Sequence, residues 1–336
     1  LLLPIVFSFA LRFMAPGDVP SVHYTHPHQR VELEVGGGVN LFCSGSGSPT
    51  VVFIAGGGED SSTFRRVQGP LSLLTRVCSY DRPGMGFSEP APASGTAIAI
   101  VLGLNRLIDG AGISRPVVLV GHSIGGVYAE LYAARHPADV AAMVLIDPSF
   151  VGQNAMVSRR FTAAQRKKWI HDAVNDVIQA RECVARARSG ALASAISDED
   201  CLDDPPDPDP ILHGLWETQL ARTSTQQAML DELLDTHSRS ASGLSGAERA
   251  LQSARFEFGR KPLVVLTAGE QFLDLPISQR REAMAGWIQG HEALARKSAI
   301  GRNILIPGSS HFIQLDRPDV VIQAVTDVVM AVRSGE

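Results

Sequence analysis

The segment Gly121-His122-Ser123-Ile124-Gly125-Gly126 follows directly on an apolar run at residues 117–121 (VVLVG) and opens a helical pattern that runs to Arg135. A serine at such a junction has a physical logic. The backbone must turn within a residue or two, the side chain is held in strained φ/ψ, and glycines on either side leave room for the strand and helix to approach. The Ile124 amide, at the start of the helix, can then face a developing oxyanion with the positive end of the helix dipole behind it. A second amide donor is expected from the loop Ala55-Gly56-Gly57-Gly58, where Gly57 occupies the suitable position. That loop lacks both the Walker lysine and the dinucleotide glycine pattern, so phosphate binding is the weaker reading.

A serine hydroxyl is a poor nucleophile near neutral pH and needs a base, nearly always histidine. Of the ten histidines, only His311 sits where a base is expected, in a short loop (PGSSHF) between the last strand and the last helix. His122, fixed beside the serine, is expected to point away from it. His136 ends a helix before Pro137, and His171, His213, His237 and His291 lie on helical patterns, where surface or packing roles are the simpler reading.

The elements that must position these groups alternate. Residues 30–35 and 39–44 flank a Gly36-Gly37-Gly38 turn and read as a hairpin. Continuous Val/Ile/Leu-rich runs follow at residues 50–55, 76–80, 117–121, 142–147, 262–268 and 303–307, as suits strands buried on both faces of a parallel sheet. Helical patterns separate them at residues 96–109, 126–135, 278–299 and 320–332, which implies a doubly wound α/β domain. Between residues 150 and 255 no convincing strand occurs, only helix-like segments at 162–187 and 212–237 joined by an acidic, Pro-rich connector (DDPPDPDP). Structureless loops of that length are rare, so an inserted helical cap over the carboxyl edge of the sheet is expected. The expected organisation is thus a leader and tether at residues 1–29, a core at 30–149 and 256–336, and a cap at 150–255.

The 336 residues are 45% hydrophobic and 19% charged, with a net charge of −5, which excludes a disordered tail, a coiled coil and a small disulfide knot. Without a Lys/Arg block the chain also lacks the electrostatic footprint of a nucleic-acid binder. Residues 1–14 (LLLPIVFSFALRFM) are apolar but too short to span a bilayer, and fit the end of a secretory signal or a clipped membrane anchor leading into a polar tether. His23, His26 and His28 in that tether have no Cys or acidic partners and read as solvated rather than metal-binding. In an oxidising compartment the four cysteines pair most economically as Cys43–Cys78 and Cys183–Cys201. Export is the expected localisation. Nothing in the sequence sets the oligomeric state.

Together these residues resemble the α/β-hydrolase fold family over nearly the whole chain from about residue 30: AGGGED after the third strand, SYDRPGMGFS after the fourth, GHSIGG, VLIDPS after the sixth, and GSSHFIQLDRPDVV around His311. The resemblance implies an eight-stranded, mostly parallel sheet. It also implies a serine hydrolase of the carboxylesterase type acting on a small-molecule ester, with Ser123 as nucleophile, His311 as base, the Gly57 and Ile124 amides as oxyanion hole, and no metal or organic cofactor. Asp81, Gly84 and Gly86 correspond to a structural turn. Two departures stand out. Ala55 replaces the usual His of the oxyanion loop, which alters packing more than chemistry because the donor is a backbone amide. The acid usually follows strand seven, yet Phe272 stands where it is expected. Asp147, at the end of strand six and 24 residues after Ser123, is therefore the leading candidate, with Asp274 and Glu270 as alternatives. The same triad also serves C–C hydrolases, thioesterases, amidases and perhydrolases, and a non-catalytic ligand-binding member is the reading from another class. Dehalogenases and epoxide hydrolases are disfavoured, since they carry Asp at the position of Ser123.

Overall fold

A computed structural model of the chain describes residues 18–33, 37–90, 95–192, 201, 207–237 and 244–335. The apolar run at residues 1–14 lies outside them. The strands are β1 (Gln29–Leu33), β2 (Gly37–Ser44), β3 (Val51–Ile54), β4 (Val77–Tyr80), β5 (Val117–His122), β6 (Val140–Ile146), β7 (Leu263–Ala268) and β8 (Arg302–Ile306). They form one sheet in the order β1-β2-β4-β3-β5-β6-β7-β8. Only β2 runs against its neighbours β1 and β4; the pairings from β4 through β8 are parallel.

The continuous apolar runs are explained by burial on both faces. In β5, Val117 and Leu119 enter one hydrophobic cluster while Val118 and Val120 enter another, and β3 divides its residues in the same way. One face is covered by α2 (Ala97–Gly110), α3 (Ile124–Arg135) and α9 (Ile277–Ala295). The other is covered by α1 (Arg65–Ser72) and α11 (Pro318–Ser334). A short α10 (Ile313–Asp316) precedes α11. The expected doubly wound α/β sheet is therefore present, opened by the antiparallel β1–β2 hairpin.

Between β6 and β7 the described residues contain α4 (Gln153–Val157), α5 (Ala163–Arg188), α6 (Pro210–Leu220), α7 (Thr223–His237) and α8 (Gly246–Ala254), and no strand. The helix expected over residues 212–237 is two helices. Gln226 donates to the Leu220 carbonyl at 2.8 Å, while Thr225 and Arg222 donate to the carbonyls of Gly84 and Gly86. These tertiary partners stabilise the break, and helical periodicity does not register them. Asp209 caps α6 by accepting from the amides of Ile211 and Leu212, with Pro210 in the first turn, which is where the acidic connector ends.

From Asp18 the chain is folded against the body instead of running as a solvated tether. Val19 and Tyr24 pack with Leu212, and the Val19 amide donates to the Arg65 carbonyl at 2.9 Å. His28 stacks on Phe42 with ring centroids 4.2 Å apart, whereas His23 and His26 are exposed. Buried Arg65 is paired with Asp207, and Ser21 donates to Asp209 at 2.6 Å, so this segment and the end of the acidic connector share one polar network. Both expected cysteine pairs are bonded. Cys43 and Cys78 sit opposite one another in the β2–β4 register. Among the described residues no helix is long and apolar enough to cross a membrane.

Candidate active site

Ser123 stands between the last residue of β5 and the first of α3 with φ 52° and ψ −123°. A non-glycine residue rarely adopts a positive φ, and here the surroundings over-determine it. Its amide donates to the Ile146 carbonyl, and its carbonyl accepts from the amides of Gly126 and Ser149, each at 3.0 Å. The flanking glycines are required by close approach. A Cβ on Gly121 would lie 2.5 Å from the Gly125 carbonyl oxygen, and one on Gly125 would lie 2.3 Å from that of Ile54.

His311 lies in the loop between β8 and α10, and its Nδ1 is 2.6 Å from Oδ2 of Asp147. Asp147 follows β6 with φ 40° and is fully buried. Its other oxygen accepts from the Ala268 amide at 2.9 Å and from Trp287 Nε1 at 2.8 Å, and Oδ2 also accepts from the Gln271 side-chain amide. Burial pushes the Asp147 carboxyl up, but the hydrogen bond and charge of His311, with His291 and Trp287 behind them, outweigh it and hold the group below the usual carboxylate range. Asp274 and Glu270 are exposed on the loop after β7, and among the described residues neither is hydrogen-bonded to His311. Phe272, at φ 59°, packs edge-on against Trp169 and Trp287.

Ser123, His311, Ile124 and Gly57 line one cavity of about 590 Å³, whose walls also include Phe150 and Met229. The Ile124 amide begins α3 and so has no acceptor within the helix. The loop carrying Gly57 is held by two buried polar pairs. Arg82 donates to the carbonyls of Ala55 (2.6 Å) and Gly56 (2.5 Å) and is paired at 2.5 Å with Glu232 of α7, whose second oxygen accepts from the Gly58 amide at 3.2 Å. Glu59 accepts from the Gly56 amide at 3.1 Å and faces His122, whose ring is buried away from solvent. His291 is buried as well, bonded to the Pro148 carbonyl and the Thr267 hydroxyl at 2.8 Å each, and burial pushes its pKa down.

Of the residues singled out from the sequence, Gly57, Ser123, Ile124 and His311 line one cavity, and Asp147 is bonded to His311 behind it. Sequence reasoning missed Gln271, Trp287, Glu59, Arg82 and Glu232, and assigned nothing to His122. Polar residues adjoining the two glycine-rich motifs were the only local signal, and only for Glu59 and His122.

A doubly wound sheet with a strained serine between strand and helix is the architecture of the α/β-hydrolase fold. A model of the alpha/beta hydrolase family matches residues 51–324, and the chain belongs to that family, which is one of hydrolases. It is 25% identical over 284 residues to the uncharacterised protein YqjL of Bacillus subtilis, covering 84% of this chain and 85% of that protein. It is 34% identical over 163 residues to an uncharacterised protein of Schizosaccharomyces pombe, spanning 41% of this chain but only 29% of that longer protein. Among solved structures it resembles a putative lipase of Acinetobacter baumannii, with a TM-score of 0.61, 18% identity and coverage of 92% of this chain and 93% of that one.

Proposed function

We propose that the protein is a serine hydrolase cleaving carboxylic esters of small molecules. In this reading Ser123 attacks the ester carbonyl, His311 takes its proton and returns it to the leaving alcohol, and Asp147 holds the imidazole in the required tautomer. The Gly57 and Ile124 amides receive the tetrahedral oxyanion, and water then cleaves the acyl-enzyme. The helices at residues 150–255 act as a cap, since Met229 of α7 and Phe150 just before α4 share the cavity with Ser123. No cofactor has a part in these steps.

The observation that carries the reading is the 2.6 Å contact between His311 Nδ1 and Asp147, made by an imidazole that lines the same cavity as a serine in strained conformation. Nδ1 is bound to the acid, which leaves Nε2 as the basic nitrogen. The two disulfides suit an exported enzyme. The test is labelling by a fluorophosphonate probe together with turnover of p-nitrophenyl esters of increasing acyl length, with an amide and a thioester as controls. Labelling and ester turnover that both vanish in Ser123→Ala are expected. A wild-type protein that takes up no probe and turns over no ester would favour a ligand-binding member of the family.

A further inference from the structure

Glu59 and His122 form a buried pair with no part in the steps just described. His122 Nδ1 is 2.8 Å from Glu59 Oε1, and His122 Nε2 is 3.0 Å from the main-chain oxygen of His311. A carboxylate and a carbonyl only accept hydrogen bonds, so a ring that satisfies both must carry a proton on each nitrogen. The pair therefore holds one more proton than a neutral imidazole beside a carboxylate would. Separating these charges from water is tolerable only because they are paired and hydrogen-bonded.

The pair also bridges two loops. On one side Glu59 accepts from the Gly56 amide, one residue before Gly57. On the other, His122 binds the backbone of His311 itself, with the two imidazole centroids 4.6 Å apart. A Cβ on Gly56 would fall 2.3 Å from Glu59 and 2.8 Å from His122 Nδ1, so that glycine leaves the space through which the pair reaches the loop.

We propose that Glu59 and His122 are positioning residues: a carboxylate–imidazolium couple that fixes the His311 main chain and the Gly56–Gly57 segment relative to one another, and that works only while His122 keeps its charge. The proposal rests on the reading of Ser123, His311 and Gly57 given above. The groups facing His122 are Glu59 from the loop after β3, His311 and the uncharged Phe312 ring from the loop after β8, and, further off, Asp147 at the end of β6. Burial would strip the ring of its proton, but the charge and hydrogen bond of Glu59 outweigh burial and raise its pKa. A group raised in the folded state loses its contribution as pH rises through the folded value, so the couple fails at alkaline pH.

The experiment combines nitrogen NMR of the histidine rings with the rate of fluorophosphonate labelling across pH, on the wild type, Glu59→Gln and Glu59→Asp. The expected wild-type His122 is doubly protonated at pH 7.5, and the labelling rate falls in step with its deprotonation at higher pH. Glu59→Gln is expected to leave His122 with a single N–H and to slow labelling about 10- to 100-fold, as for a small misplacement of catalytic groups. Ester kcat should fall by the same factor with KM unchanged, and Glu59→Asp should recover part of it. A neutral wild-type His122 at pH 7.5, or folded Glu59→Gln labelling at the wild-type rate, overturns the proposal. If Glu59→Gln does not fold, the wild type alone decides, since a labelling rate that stays flat while His122 loses its proton overturns it equally. Failure of the serine-hydrolase reading is distinguishable, because the wild type would then take up no probe while the ring NMR still reports the charge of the couple.

Discussion

Asp147 and His311 meet at 2.6 Å although 164 residues separate them, and the carboxylate is held on its other side by the Ala268 amide and the indole of Trp287. With those donors supplied by the protein, the carboxylate has a fixed orientation before any substrate arrives. Asp147→Asn keeps the shape but removes the charge that, in the proposed mechanism, selects the tautomer of His311. Turnover is expected to fall on the order of 10⁴-fold. Asp274→Asn and Glu270→Gln, by contrast, should leave kcat unchanged in the same ester assay. Near-normal turnover in Asp147→Asn, with loss in either of the others, would reassign the acid.

Arg82 and Glu232 are both buried and join the loop before Gly57 to helix α7. Glu232→Ala leaves the guanidinium buried without its partner and frees the Gly58 amide. A destabilisation of about 3–5 kcal/mol is expected in denaturant unfolding. Glu232→Gln, which retains shape and an acceptor, should cost less stability yet still lower kcat, because Arg82 is then less firmly held against the carbonyls of Ala55 and Gly56. Equal stability losses in the two variants would argue against the charge as the cause.

The two disulfides close loops of different kinds. Cys43–Cys78 has a sequence separation of 35 and lies within the sheet, whereas Cys183–Cys201 has a separation of 18 and lines the cavity with Ser123. Thiol titration of the denatured, unreduced protein should find no free thiol. In the chain-entropy model, replacing the pairs by serine lowers stability by about 4 and about 3 kcal/mol respectively. Only the Cys183/Cys201 replacement is expected to raise KM as well, and a KM change from the Cys43/Cys78 replacement alone would contradict that division.

The strands were legible because each of the parallel ones is a short, uninterrupted apolar run bounded by turn residues, which few alternatives to a two-sided sheet can bury. Ser123 and His311 were legible because strand, turn and helix signals locate them. The second layer was not. Glu59 finds His122 63 residues away, Gln271 finds Asp147 124 away, and Arg82 finds Glu232 150 away. No local period encodes such pairs, and an isolated Glu or Arg in a loop reads as solvated until the fold brings its partner. The break between α6 and α7 escaped for the same reason, since the Gly84 and Gly86 carbonyls that stabilise it belong to a distant turn.

Glu130, buried in α3, gives a pH signature of its own. Its Oε1 has no hydrogen-bond partner among the described residues. Burial pushes its carboxyl up to about 8, against a small lowering by Lys297. In the unfolded chain the same group titrates near about 4.3. Between those two values the folded protein holds a proton that the unfolded chain has released, so stability falls as pH rises, by up to about 1.4 kcal/mol per pH unit. Between pH 5 and pH 7 the loss amounts to about 2–3 kcal/mol. Glu130→Gln removes this titration, so the variant should gain stability relative to the wild type by that amount over the same interval in denaturant unfolding. Parallel pH profiles for the two proteins would show that Glu130 is ionised in the folded state. The change in their difference carries the result, because the buried amide of the variant has a desolvation cost that does not vary with pH.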